Sequence, residues 1–231
     1  MESPEKIRER FLANADIKYR TFSEKVVVPS ESHRIAGIRM PVIRKFAKDI
    51  CGGDWRTYLD STNDEYHEDL LLRGFIIARA KIPEEDRCAM ITDFVPMMDN
   101  WGVCDSFASE LRVNRRNSAR IWDMILPFLD SDREFEARFA IAMMLFHFMD
   151  DVHADDIIAY MDAVRNDAYY VRMAVAWCLS VCFVKFPERT TAYLKNSTLD
   201  KFTFNKTLSK ITDSLRVSGD VKDEIRKMRR K

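Results

Sequence analysis

The chain has 231 residues, 47% hydrophobic and 32% charged, with 37 lysines and arginines balanced by 37 aspartates and glutamates. That is enough apolar chain for a sizeable core, and the zero net charge excludes the strongly basic domain that most simply marks a nucleic-acid binder. With 6 glycines and 7 prolines, it is no low-complexity chain and has few of the turn residues that a sandwich or barrel of short strands requires.

In chain order almost every segment reads as helix. Ser3-Pro4-Glu5 sets a capping residue before proline at the first helical position, which predicts a helix from Pro4 to about Ala13. Val26-Val27-Val28 is the best strand candidate and is too short to found a sheet. Pro41 opens a second helix to Ile50, with Val42, Ile43, Phe46, Ala47 and Ile50 at helical spacing. It stops at Cys51-Gly52-Gly53, where glycine is free to turn left-handed. Asp54 predicts an N-cap for a short helix through Leu59. Residues 65–80 form a one-faced helix that Ile82-Pro83 interrupts. Helices are then expected over Pro83–Val95, Ser118–Phe128, Glu134–Met149, Ala154–Val164 and Tyr169–Phe186, followed by a basic C-terminal pair.

Pro41, Pro83 and Pro127 lie 42 and 44 residues apart, and the next break in that rhythm falls near Arg165–Ala168. HEAT and armadillo units have periods of about 40–47 residues, built from two or three helices. The expected architecture is therefore an all-α, HEAT-like or armadillo-type α-α superhelix, one domain over residues 1–231 with a concave face suited to a large partner. The longest uncharged stretch in the main apolar region, Met173 to Val184, has 12 residues, whereas a bilayer span needs about 20. A charged MESPEKIRER start and five cysteines without framework spacing predict a cytoplasmic protein with reduced thiols.

Charge is unevenly spread. Lys185–Lys231 holds 13 lysines and arginines against 6 acids, and Arg116–Val184 holds 6 against 11. Arg112, Arg115, Arg116 and Arg120 stand together with no acid among them. Such polarity steers an anionic partner to one face, although basic ends are commonly just solvated surface.

No phosphate-binding glycine loop, G-x-S-x-G, H-E-x-x-H or C-x-x-C is present, and His33, His67, His147 and His153 are scattered. Cys178 and Cys182 are one helical turn apart in an apolar helix, where free cysteines behave as small hydrophobes, so no metal is expected. Trp101 and Asp105 are also one turn apart, which puts a carboxylate beside an indole on one helix face. The residues alone leave open a core tryptophan with a solvated or capping aspartate. Arg138, the one cation between Glu134 and Met149, is either a structural ion-pair partner or part of the same site, and Trp177, in the most apolar helix of the chain, is either plain core or part of it.

These segments in their order carry a resemblance: AGIRMPVIRKFAKDI (36–50), DNWGVCDS (99–106), SDREFEARFAIAMML (131–145), YYVRMAVAWCL (169–179) and LDKFTFNKTLSKI (199–211). From about Ile35 onward the chain resembles the AlkD-type DNA alkylation repair family, the HEAT-like-repeat DNA glycosylases of alkylated bases. The family's W-x-x-x-D matches Trp101 and Asp105, its arginine before an A-I step matches Arg138, and its late-helix tryptophan matches Trp177. The chain departs from the family at Asn100, where a second tryptophan is common, and at Val26–Val28, where an aromatic facing DNA is expected. The resemblance implies release of cationic N3- or N7-alkylpurines from double-stranded DNA, with Asp105, Trp101, Trp177 and Arg138 as the catalytic set. It implies no metal or nucleotide cofactor, no membrane, a monomer, and a cytoplasmic place, at the nucleoid in a prokaryote. The charge pattern adds Arg39, Arg44, Lys45, Arg112, Arg115, Arg116, Lys206 and Lys210 as DNA contacts, with Arg34 beside them. The rival expectations are a non-catalytic relative that grips distorted or branched DNA and a protein-binding helical scaffold.

Overall fold

The computed structural model describes residues 2–27 and 32–231. Among these the chain is all-α, with fourteen α-helices and no strand; one isolated bridge joins Arg34 to Tyr66. The described residues form two compact units, one ending at Ile121 and the other running from Trp122 to Lys231.

The first unit contains α1 (Pro4–Leu12), α2 (Ile17–Val26), α3 (Met40–Cys51), α4 (Trp55–Ser61), α5 (His67–Arg79), α6 (Glu84–Phe94) and α7 (Trp101–Glu110); α8 (Ser118–Ile125) carries the boundary. The second contains α9 (Glu134–His147), α10 (Ala154–Ala163), α11 (Tyr169–Lys185), α12 (Pro187–Asn196), α13 (Lys201–Asp213) and α14 (Gly219–Lys227). Short side chains set many of the starts. Asp16 accepts the Tyr19 amide, Asp54 the Thr57 amide, Asn100 the Val103 amide, and Asp200 the amides of Phe202 and Thr203. Each such cap contributes about 1 kcal/mol by satisfying an amide the helix cannot.

Packing follows one rule in both units: alternate helices stack. α5 packs against both α3 and α7, and α11 packs against both α9 and α13. A helix flanked on both sides must be apolar nearly all round. Eleven of the thirteen residues of α5 are accordingly buried, including Leu70, Leu72, Phe75 and Ile76. Gly74 lets this stack close, because a Cβ there would come within 3.0 Å of the Phe94 and Phe107 rings, which meet edge-to-face at 5.0 Å. Stacked helix layers of this kind agree with an α-α solenoid. No helix among the described residues is long and apolar enough to cross a membrane.

Several local expectations change. The segment 17–26, whose valine end was the strand candidate, is the helix α2: Val26 is its last residue, Val27 closes it, and Val28 lies outside the described residues. Periodicity hid this helix because Ser23 is its one buried residue. The basic C-terminus is three helices, α12 to α14, rather than a pair. α3 ends without a left-handed glycine, since Gly52 has φ −80°; positive φ occurs instead at Gly37, +91°, where a Cβ would sit 2.6 Å from the Asp16 carbonyl oxygen. The proline rhythm marks unlike places: Pro41 is inside the first turn of α3, Pro83 precedes α6, and Pro127 lies in the 3-10 turn Leu126–Asp130 that follows α8. The break expected near Arg165–Ala168 does separate α10 from α11.

Candidate active site and nucleic-acid interface

In the first unit the candidate site is built on the start of α7. Trp101 is the first residue of that helix, half-buried, and its indole N–H donates to the Val26 carbonyl at 3.3 Å. Asp105 follows one turn later on the same face, also half-buried. A cavity of about 180 Å³ beside Trp101 is walled by Tyr19, Phe22, Val26, Met40 and His67. That is below the roughly 300–1,000 Å³ of sites that enclose a small molecule.

A polar chain runs behind this face. Asn100, 5% exposed, accepts the Val103 amide at 3.0 Å and donates to Asp99 Oδ1 at 2.7 Å and His67 Nδ1 at 3.1 Å. The other oxygen of Asp99 meets His33 Nδ1 at 2.5 Å. Burial pushes the pKa of His67 down, while Glu68 and Asp99 pull it up. Glu68 is itself buried and accepts the amides of Ala36, Gly37 and Ile38 at 2.9, 2.8 and 3.1 Å, which ties the loop before α3 to the start of α5.

The second unit gathers cations and aromatic rings on α9, α11 and α13. Arg138, 6% exposed, donates to the Tyr170 carbonyl at 2.8 Å, and its guanidinium lies 5.8 Å from the centre of the Tyr170 ring. Trp177 is half-buried on α11 and meets Phe146 edge-on at 5.5 Å, with Phe146 exposed. Lys206 and Lys210 stand one turn apart on α13. Burial lowers the Lys210 pKa, and repulsion from Lys206 and Arg138 lowers it further, with Asp213 opposing. Lys206 and Arg138 thus both lie near enough to Lys210 for their charges to act on it.

The remaining cations divide by partner. Arg39 bonds Asp16 at 2.9 Å and lies over Tyr19, and its hydrogen bond, with that of the Tyr19 amide, holds the Asp16 carboxyl below the ordinary range. Arg44 reaches Glu110 at 3.2 Å, Arg34 pairs with Glu65, and Arg120 stands 4.0 Å from Glu85; Lys45 is exposed. Arg112, Arg115 and Arg116 are exposed on the connection between α7 and α8. That connection is held from within. Buried Asn117 donates to the Arg112 carbonyl and to Glu84 and accepts the Asn114 amide at 2.7 Å, while Asn114 accepts the Arg116 amide at 2.9 Å. Three guanidinium groups are therefore carried on a loop whose backbone is already fixed.

Trp101 and Asp105 stand one turn apart on α7, and the charges of Lys206 and Arg138 both act on Lys210. Sequence reasoning missed Asn100, His67 and the Asn114–Asn117 clasp. Asn100 had a readable signal, a capping residue just before an apolar run; the His67 contact spans 33 residues and had none. Cys178 and Cys182 are fully buried, with Cys182 Sγ 3.3 Å from Met149 Sδ, and no cluster of metal-ligating side chains occurs among the described residues.

A family described as DNA alkylation repair enzyme matches residues 7–211 of the chain. No curated protein matches it.

Proposed function

Because the chain belongs to the DNA alkylation repair enzyme family, we propose that it is a glycosylase that hydrolyses the N-glycosidic bond of N3- and N7-alkylated purines in double-stranded DNA. The observation that carries this reading is the half-buried carboxylate of Asp105 one turn from the half-buried Trp101 on α7.

The chemistry needs few groups. A purine alkylated at N3 or N7 is cationic and leaves without a general acid, unlike an ordinary glycoside, which takes a pair of carboxylates. As it leaves, the deoxyribose gains positive charge. Asp105 stabilises that charge and orients the attacking water. Trp101 and Trp177 offer aromatic faces to the cationic sugar or base, each stabilising it by about 0.5–2 kcal/mol. Arg138, Lys206 and Lys210 hold backbone phosphates, as do Arg112, Arg115 and Arg116, and Arg39, Arg44 and Lys45 add to the same field. In this reading the protein acts as a monomer that uses neither metal nor nucleotide, in the cytoplasm, at the nucleoid in a prokaryote.

Two measurements test the reading in sequence. Duplex DNA binding should weaken with salt, each phosphate contact adding about −0.9 to the logarithmic slope. DNA methylated chemically at N7 of guanine and N3 of adenine should then release free base. Binding without release would leave a protein that grips distorted DNA, and the absence of both would leave a protein-binding scaffold.

A further inference from the structure

We propose that Asn100 and His67 are positioning residues: the Asn100 carboxamide holds the first turn of α7, and with it Trp101 and Asp105, only while His67 Nδ1 accepts a hydrogen bond from it. The inference rests on the roles given to Trp101 and Asp105 above. The orientation of the carboxamide follows from its neighbours. The Val103 amide can only donate, so the Asn100 oxygen faces it, at 3.0 Å. Its amino group is left to donate to Asp99 Oδ1 at 2.7 Å and to His67 Nδ1 at 3.1 Å. Nδ1 must then carry a lone pair, which makes His67 a neutral imidazole with its proton on Nε2.

An imidazolium would set N–H against the amino group. Turning the amide over would satisfy the imidazolium but aim the amino group at the Val103 N–H and the oxygen at the Asp99 carboxylate. No orientation of Asn100 serves a charged His67 and also keeps the cap. Nor can the groups drift apart cheaply. Asn100 and His67 are both buried, and Gly102 packs so closely that a Cβ there would stand 3.1 Å from Asn100 Oδ1 and from His67 Cε1. The charged and titratable groups that act on His67 are Glu68 and Asp99, which favour its proton, and His33, which opposes it; burial outweighs them and keeps the neutral form below the ordinary pKa of 6.5. Glu68 is committed to three backbone amides and Asp99 is engaged through both oxygens, so neither is released to follow a charged His67.

Two variants test this. His67→Asn places an acceptor oxygen where Nδ1 stands and cannot titrate. Asn100→Ser keeps an acceptor for the Val103 amide and replaces the amino group that reaches His67 Nδ1 and Asp99 Oδ1 with one shorter hydroxyl. The His67 Cε1 proton is followed by NMR against pH in the DNA-free wild type and Asn100→Ser, with base release and duplex affinity measured in parallel for all three proteins. The wild type should titrate below pH 6.5 and lose base release on the acid side. His67→Asn should lose that acid limb and keep its neutral-pH rate. Asn100→Ser should titrate higher and release base roughly ten- to a hundredfold more slowly at neutral pH, the cost of an α7 face displaced by a fraction of an ångström to an ångström, while its thermal unfolding stays cooperative. An unchanged His67 titration in Asn100→Ser, or an acid limb that survives in His67→Asn, overturns the proposal. The titration needs no DNA, so a wild type that releases no base would overturn the glycosylase reading while a shifted titration would still uphold the coupling of Asn100 to His67.

Discussion

The α7 face of the first unit and the α9–α11–α13 face of the second are built on the same stacked-helix plan and hold their charges by opposite means. On α7 the carboxylate and indole rest on a helix start held by Asn100, Asp99 and the neutral His67. On the other face burial lowers the Lys210 pKa first, and the charges of Lys206 and Arg138 lower it further against the opposing Asp213. A face fixed by hydrogen bonds suits a group that must meet charge developing in a transition state. A face that carries a half-buried lysine beside a second lysine suits a partner that is an anion before any chemistry begins. The comparison therefore predicts that Asp105 on the first acts on rate and that Lys206 and Lys210 on the second act on affinity.

The largest effect that sharpens this division is Asp105→Asn. It should slow base release by about 10²–10³-fold, the scale of losing one preorganised electrostatic group, while duplex affinity stays nearly constant. Single-turnover rates beside equilibrium titrations would show it, and equal losses in both would erase the division. Lys206→Gln with Lys210→Gln should act the other way. The salt slope should become shallower by about 1.8 and binding should weaken for all sequences, with the rate at saturation unchanged. Arg115→Ala with Arg116→Ala should weaken binding in the same uniform manner, read by the same titrations.

A smaller effect comes from protons. Bound phosphate favours charged Lys210, whose pKa in the free protein is lowered by burial, Lys206 and Arg138. The complex then holds more protons than the free protein between the two pKa values, so affinity should fall as pH rises through that window. Lys210→Arg remains charged throughout and should flatten this part of the pH dependence. Parallel curves for the two proteins would place Lys210 away from phosphate.

The sequence disclosed these faces unequally. Trp101 and Asp105 were readable because their relation is local, four residues on one helix. Most of the fold was readable for the same reason: apolar spacing, prolines and capping residues each act within a turn or two. α2 was hidden because a helix with one buried residue leaves no apolar period. Partner choice was hidden more thoroughly. Arg39 and Arg44 look like free phosphate ligands in the sequence, yet Asp16 and Glu110, 23 and 66 residues away, stand against them in the fold. Asn100 looked like a departure from a family pattern at a tryptophan position, and its use became visible only with the Val103 amide and the His67 ring beside it.

As a glycosylase, the proposed function, this chain would break the bond between an alkylated purine and its sugar. The most direct measurement is a time course with the wild type and a duplex carrying a single N7-methylguanine, run beside the same duplex unmodified, with free base separated by chromatography and the abasic strand revealed by alkaline cleavage. The account predicts that free 7-methylguanine and the cleaved strand appear together from the modified duplex and that neither appears from the control. A duplex bound at low salt and recovered intact, with no free base above the uncatalysed rate, would contradict it.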